Sequence, residues 1–188
     1  GNGDGTFQTR TTFGTGNSPI SVTLGDVNKD GKLDIITANS GANNVSVLIG
    51  NGNGSFKTTA NFGTGSAPYG VSLGDMNGDG SLDIITSNVQ SNNVSVLLGN
   101  GDGTFRVHAT YTTGNHPISV ALGDLNGDGK PDIVTVNVEL NRHLTMLLGN
   151  GDGTFQMQQT FSMGTSSVAV TLGDVNADGR LDIITANA

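Results

Sequence analysis

The sequence lacks several features that would otherwise guide its interpretation. It contains no cysteine, so neither a disulfide nor a thiolate-bound metal can hold the fold together. No apolar run is long enough to cross a membrane. The eight lysine and arginine residues form no basic stripe, which argues against nucleic acid as a partner. Proline is scarce at four residues, whereas glycine reaches 30 and short blocks of Val, Ile, Leu and Thr recur. This composition is typical of an all-β protein with many turns.

The acidic residues are concentrated in one repeated motif. Glutamate occurs once, and the other 15 of the 16 acids are aspartate. Twelve of them lie in four copies of Asp-x-Asn-x-Asp-Gly-x-x-Asp, at residues 26–34, 75–83, 124–132 and 174–182. The first Asp recurs after 49, 49 and 50 residues. Because a period of this size indicates a solenoid, propeller or other array, the chain is interpreted as a tandem repeat.

Each copy has the spacing that a short loop needs in order to wrap a hard cation. Oxygen-bearing side chains stand at loop positions 1, 3, 5 and 9, and a glycine at position 6 permits the sharp turn. Four Ca²⁺ ions would neutralise the formal net charge of −8. We therefore predict four calcium sites, one in each loop, with these side-chain ligands: Asp26, Asn28, Asp30 and Asp34; Asp75, Asn77, Asp79 and Asp83; Asp124, Asn126, Asp128 and Asp132; Asp174, Asn176, Asp178 and Asp182.

The second copy shows the unit most clearly. A strand at 69–75 leads into the acidic loop, a strand at 82–88 leaves it, and a third strand spans 93–99. The Asn-Gly and Asp-Gly pairs of residues 100–104 predict a tight hairpin turn, and a fourth strand is predicted at 105–111. The unit is thus a four-stranded antiparallel meander. Runs such as Ile84-Ile85 are apolar on both faces, which indicates a sheet covered by neighbours on both sides.

Stacking of these sheets allows two architectures. Radial stacking gives a β-propeller, and linear stacking gives a β-solenoid or a fibre-like array. The predicted organisation is a fourth strand of a preceding blade at 1–16, blades at 17–65, 66–114 and 115–164, and the first half of a further blade at 165–188. Joining the two ends would build a blade that lacks only its third strand. Since exposed sheet edges recruit partners, we expect continuation with further repeats or self-association, as a filament or a shared propeller.

The residues that precede the loops carry a family resemblance. Phe13-Gly14 and Phe62-Gly63 stand before the hydrophobic strand and the acidic loop; the later copies have Tyr111-Thr112 and Phe161-Ser162. This combination resembles the FG-GAP repeat, also called the VCBS repeat, of integrin α-subunits and many secreted bacterial proteins. The resemblance implies β-propeller blades whose loops bind Ca²⁺ through side chains at positions 1, 3, 5 and 9 and through the backbone carbonyl at position 7. The position 7 residues are Lys32, Ser81, Lys130 and Arg180.

Other interpretations of the loop fit less well. An EF-hand or dockerin loop requires an acid at position 12 and flanking helices, but position 12 is threonine in every copy and the flanks are strand-like. An acidic turn that binds no metal is the remaining alternative. The chain opens at Gly1 without a methionine or a signal peptide, so we expect it to be a processed or excised piece of a longer protein.

The sequence predicts a non-enzymatic, extracellular, calcium-stabilised repeat module with a structural or adhesive role. Loops of this kind fill where free Ca²⁺ is high, which is usually outside the cell. His108, His116, His143 and Glu139 fall in no catalytic or ligand spacing. One alternative is a module that recognises a glycan or a protein through the variable loops 87–91 and 137–143. Another is an accessory part of a secreted enzyme whose catalyst lies elsewhere.

Overall fold

The computed structural model describes residues 1–138, 143–163 and 167–187, and every regular element in them is a β-strand. The strands are β1 (Pro19–Gly25), β2 (Asp34–Asn39), β3 (Asn44–Leu48), β4 (Ala60–Gly63), β5 (Pro68–Gly74), β6 (Asp83–Asn88), β7 (Asn93–Leu97), β8 (Ala109–Thr112), β9 (Pro117–Gly123), β10 (Asp132–Asn137), β11 (His143–Leu147), β12 (Gln159–Ser162), β13 (Ser167–Gly173) and β14 (Asp182–Asn187). None of the described residues form a helix that could cross a membrane.

The strands form four antiparallel sheets in chain order. Three sheets have four strands each, β1–β4, β5–β8 and β9–β12, and the last sheet contains β13 and β14. The register is the same in each sheet, since Val22, Val71, Val120 and Val170 all pair with the threonine at loop position 12. The structure therefore confirms an all-β fold of tandem four-stranded antiparallel blades.

Neighbouring sheets meet chiefly through their first strands. Strand β1 lies against β5, β5 against β9 and β9 against β13, and the second strand of each sheet also contacts the first strand of the next. Third and fourth strands make no comparable contacts with the adjacent sheet within the described residues. The sheets thus spread outward from their first strands, which is the radial arrangement of propeller blades.

The hydrophobic core lies between the blades. One cluster joins Ile36 and Val47 of the first sheet to Val71 and Ile84 of the second, and similar clusters join the second sheet to the third and the third to the fourth. The equivalent of Val71 on the first sheet is Val22, which is 63% exposed against 8% for Val71. Each blade is therefore buried by its neighbours, as expected for repeats that cannot cover their own faces.

The fourth strand differs from the prediction. In the second sheet it spans Ala109–Thr112 instead of 105–111, and Phe105 forms only an isolated bridge with Gly99. Val107, between the two, leaves the ladder and is 94% exposed. Residues 1–16 form no ladder with the other described residues, so the fourth strand of a preceding blade predicted there stays a prediction.

Candidate metal centres

Each acidic loop connects the first and second strands of a sheet. In the first sheet, β1 ends at Gly25 and β2 begins at Asp34, so loop positions 1–8 are the connection and position 9 is the first strand residue. The placement is the same in the other three sheets, where β6, β10 and β14 each begin at position 9. The four loops therefore lie at equivalent points of the four blades.

The side chains at positions 1, 3 and 5 converge in every loop. In the first loop the Asp30 amide donates to Asp26 Oδ1 (3.1 Å) and to Asn28 Oδ1 (3.0 Å), so both oxygens lie beside one N–H group. Asn28 Nδ2 donates in turn to Asp30 Oδ2 at 3.1 Å. The same three bonds occur in the second, third and fourth loops. Two carboxylates and one amide thus face a common region of each loop.

Glycine at position 6 closes the loop over the first aspartate. Gly31 has φ of 80°, in the left-handed region, and its amide donates to Asp26 Oδ2 at 2.7 Å. The equivalent bonds in the other loops measure 2.7–2.8 Å. Position 4 is left-handed as well: Lys29 and Ala177 adopt φ of 59° and 61° there. The glycine present at position 6 of every copy predicted the left-handed φ there. The left-handed φ at position 4 was not predicted, because glycine occupies that position in only two copies.

The position 7 residue contributes its amide to the loop. Lys32 N donates to Asp30 Oδ1 at 3.0 Å, and Ser81, Lys130 and Arg180 repeat the bond at 2.7–3.0 Å. The ammonium groups of Lys32 and Lys130 also lie 3.7 and 4.0 Å from the carboxylates at position 5. The carbonyl ligand that the resemblance implies at position 7 stays a prediction.

The aspartate at position 9 is set apart from the other three side chains. Asp34 is fully buried, and its two oxygens accept from Val27 N (2.9 Å) and Gly50 N (2.8 Å). Asp83 and Asp132 make the same pair of bonds with their own loops and third strands. Asp182 accepts from Val175 N at 3.0 Å, has no second bond of this kind among the described residues, and is only partly buried. In three blades this aspartate therefore connects the acidic loop to the end of the third strand.

The connection also explains the glycine after each third strand. A Cβ atom on Gly50 would lie 2.2 Å from the carbonyl oxygen of Leu33, and the equivalent glycines 99 and 149 are equally crowded. Only glycine lets the backbone approach closely enough to reach the buried carboxylate. The repeated glycine at the end of the third strand was the signal in the sequence, but the prediction placed Gly99 in the third strand and gave it no contact with the acidic loop.

Hydrogen bonds lower the pKa of some carboxyl groups in the loops, whereas burial raises the pKa of one at position 9. The pKa of Asp79 lies below its ordinary value, chiefly because the Ser81 amide donates to it, and the Gly129 amide lowers the pKa of Asp124 in the same way. Burial raises the pKa of Asp83 to about 6, against the opposing effect of the two amides that it accepts. The charges of Asp79 and Asp75 add to this rise.

Without a bound cation, we expect Asp83 to titrate near pH 6, well above its ordinary 3.8. A raised folded-state pKa means that the folded chain binds the additional proton. The contribution of this group to stability is then complete below about pH 3.8 and is lost as the pH rises through about 6. A cation in the same loop would favour the carboxylate and lower this pKa. Carbon NMR titration of labelled protein in chelator measures the value, and a pKa at its ordinary level would contradict the prediction.

The donor set suits a hard divalent cation. Oxygen is the only donor element among the predicted ligands, and Ca²⁺ prefers carboxylate and amide oxygens. Because position 9 points inward, each loop gathers only two acids, and among the described residues no three His, Cys, Asp or Glu side chains are grouped to hold a metal. Positions 1, 3 and 5 therefore form the part of each predicted site that the structure brings together.

The predicted recognition loops give little support to a binding face. In loop 87–91, the amides of Val89 and Gln90 donate to the carbonyls of Ala67 and Ser66, and Ser91 Oγ accepts from Ser66 N. The polar groups of this loop therefore bond to the residues that directly precede the first strand of the same blade. In loop 137–143, residues 139–142 lie outside the described residues, and Glu139 is one of them.

The fold and loops together define a class, that of blade-forming β repeats with carboxylate-rich loops between their first and second strands. The model of the FG-GAP-like repeat matches residues 1–37, 26–86, 85–135 and 136–185. The chain belongs to this repeat family.

Comparison with solved structures gives two partial alignments at low sequence identity. The Tc holotoxin pore of Photorhabdus luminescens aligns with 87% of the chain at 18% identity and a TM-score of 0.54. The biofilm matrix protein Bap1 of V. cholerae aligns with 90% of the chain at 19% identity and a TM-score of 0.44. The aligned parts make up 8% and 34% of those chains, so this chain spans a minor part of each. No curated protein matches the chain significantly.

Proposed function

We propose that the chain is a calcium-stabilised structural module with no catalytic activity of its own, and that it acts outside the cell as part of a longer array. The observation that supports calcium is the convergence of side chains at positions 1, 3 and 5 in all four loops. In the first loop Asp26 and Asn28 both accept from the Asp30 amide, and Asn28 Nδ2 donates to the Asp30 carboxylate. A turn that served only to reverse the chain would not need two solvent-accessible carboxylates in the same short loop.

The role of the cation follows from the position of the loops. The carboxylates at positions 1 and 5 repel each other when no positive charge lies between them. Bound Ca²⁺ supplies that charge, and the loop that holds it joins the first and second strands of a blade. The side chains at positions 1, 3 and 5 would bind the ion directly. We further propose, from the family resemblance, that the position 9 carboxylate and the position 7 carbonyl complete the site.

An extracellular location and a role in adhesion rest on the calcium requirement. Sites of this class on extracellular modules bind with dissociation constants of about 10⁻⁴ to 10⁻³ M, a range that matches calcium levels outside cells. The absence of cysteine means that the chain gains no stability from disulfides, so the cation would take that stabilising role. Blades whose faces are covered only by other blades suit a scaffold that continues with further repeats.

Isothermal titration of the chelated protein with calcium tests this proposal. We expect up to four ions per chain, and we expect Asp75→Asn to remove one of them. Asp102→Asn is the matched control because Asp102 is an aspartate of the same blade whose exposed carboxylate lies outside the acidic loop, in a hairpin turn, and accepts from Thr104. Binding that is absent from the wild-type protein, or that both substitutions reduce equally, would contradict the assignment of the sites.

A further inference from the structure

Two of the acidic loops carry a lysine at position 7 whose ammonium group lies beside the position 5 carboxylate of the same loop. The Nζ atom of Lys32 is 3.7 Å from Asp30 Oδ2, and that of Lys130 is 4.0 Å from Asp128 Oδ2. Both stems lie along the hairpin turn of their own blade, the Gly-rich connection between its third and fourth strands. Cβ atoms added to the turn glycines 52 and 151 would lie 3.0 and 3.1 Å from Cδ of the two stems. These loops therefore hold a positive charge of their own next to their acidic side chains.

The second loop receives its lysine from the first loop. It contains no basic residue, and position 7 is Ser81. A Cβ atom on Gly101, in the hairpin turn of the second blade, would lie 3.1 Å from Ser81 Oγ and 3.3 Å from Lys29 Nζ. A Cβ atom on Gly80, at position 6 of the second loop, would lie 3.9 Å from the same Nζ. Lys29 thus reaches, from position 4 of the first loop, the place that a position 7 lysine occupies in the other two blades.

The docking of the hairpin turn on the preceding loop places Lys29 there. Gly103 N, in the turn of the second blade, donates to Val27 O of the first loop at 3.1 Å. Gly153 N of the third blade donates to Met76 O of the second loop at the same distance, so both pairs of blades dock in this way. Position 4 is lysine in the first loop only, and glycine or alanine in the others. The approach of a lysine to the following loop is therefore specific to the first two blades.

The charge of Lys29 acts on the second loop. The pKa of Asp79 lies below its ordinary value, first because Ser81 donates to it and further because the Lys29 ammonium is near. Lys29 and Asp79 are both exposed, and pairs of exposed charges add little to folding stability. A divalent cation held by the same carboxylate would nevertheless be repelled by the ammonium. The effect of the lysine should therefore appear in what the loop binds.

We propose that these lysines are internal counter-ions that lower the calcium affinity of the loops, and that Lys29 does so for the second loop from the first. The proposal rests on the calcium sites of the proposed function and adds what sets their strength. Without calcium, the ammonium group partly balances the carboxylates at positions 1 and 5. When calcium binds, the two cations repel, and each weakens the contact of the other by the same factor. The affinity of the second site thereby depends on a residue of the preceding blade.

Calcium titration followed by NMR tests the proposal, because the amides of Gly80 and Gly129 report the second and third loops separately in one sample. Lys29→Met removes the charge and keeps an unbranched stem against Gly101. We expect it to tighten calcium binding at the second loop by about three- to tenfold and to leave the third loop unchanged. Lys130→Met should give the reverse pattern, with tighter binding at the third loop only.

Arg106→Met is the matched control, since it removes a positive charge from an exposed residue of the second blade that lies outside the acidic loops. It should leave both affinities unchanged. A second measurement needs no calcium. In chelator, we expect nuclear Overhauser contacts between the Hε protons of Lys29 and the Hα protons of Gly101 in the wild-type protein.

Equal affinities of the wild type and Lys29→Met at the second loop would overturn the inference and leave the calcium sites in place. The same conclusion would follow if Arg106→Met tightened binding as much as Lys29→Met, or if the Overhauser contacts of Lys29 were missing in chelator. A wild-type protein in which calcium shifts neither glycine amide would instead overturn the proposed function, and this inference with it.

Discussion

Calcium should raise the midpoint of thermal unfolding of the chelated protein by about 5–10 °C for each site that it fills. A ligand present at a hundred times its dissociation constant stabilises the folded state by about 2.7 kcal/mol per site. For a chain of this size, 1 kcal/mol shifts the midpoint by about 2–4 °C. The gain arises because the cation relieves repulsion between the carboxylates at loop positions 1 and 5. In the first loop these are Asp26, which accepts from the Asp30 amide, and Asp30, which accepts from the Lys32 amide.

Circular dichroism during heating, in chelator and in about 10–100 mM calcium, a hundred times the dissociation constants expected for such sites, measures this shift. A protein with asparagine at position 1 of all four loops is the control, since it keeps the fold's apolar contacts but loses one carboxylate from each site. Its midpoint should respond little to calcium. Magnesium should be less effective, because it dehydrates reluctantly and demands stricter geometry. A wild-type midpoint that is the same in chelator and in calcium would refute calcium as a stabiliser.

The repeat and the sheet topology were predictable from the sequence because they depend on local patterns. The 49- to 50-residue spacing of Asp26, Asp75, Asp124 and Asp174 fixed the unit, and alternating apolar residues fixed the strands around it. In the copy whose strands were predicted, the first strand, β5, begins at Pro68 where residue 69 was predicted. Local pattern sufficed because all pairing within a blade is between consecutive strands.

The fourth strand was harder to predict because its pairing depends on geometry that the residues do not encode locally. The segment 105–111 has ordinary strand propensity, yet Phe105 is drawn away to pack against Phe62 of the preceding blade. The chain between Phe105 and Ala109 therefore leaves the ladder. An inter-blade contact overrides local propensity here, as tertiary context often does in sheets.

The candidate sites were predictable in composition and less so in geometry. The Asp and Asn residues at positions 1, 3 and 5 do converge, and the glycine at position 6 adopts the left-handed φ that the loop needs. The inward direction of position 9 could not be foreseen from the loop alone. It depends on Gly50, which lies 16 residues beyond Asp34 and donates to its carboxylate.

Replacing a buried position 9 aspartate should destabilise the fold even when no calcium is present. In Asp34→Ala, the amides of Val27 and Gly50 lose their acceptor inside the protein. A buried donor left without a partner costs about 1–3 kcal/mol, so we expect a loss of about 2–6 kcal/mol in the free energy of unfolding. Urea denaturation of both proteins in chelator measures it.

Asp182→Ala is the control that the chain itself provides. Asp182 occupies the same loop position but is only partly buried and accepts one bond, from the N–H of the exposed Val175, which water can reach after the substitution. Its loss should change stability by about 0.5 kcal/mol or less in chelator. Equal losses for Asp34→Ala and Asp182→Ala would mean that the buried bonds contribute nothing and that position 9 serves the cation alone. A large loss for Asp34→Ala only would show that the same aspartate holds the blade together before any cation arrives.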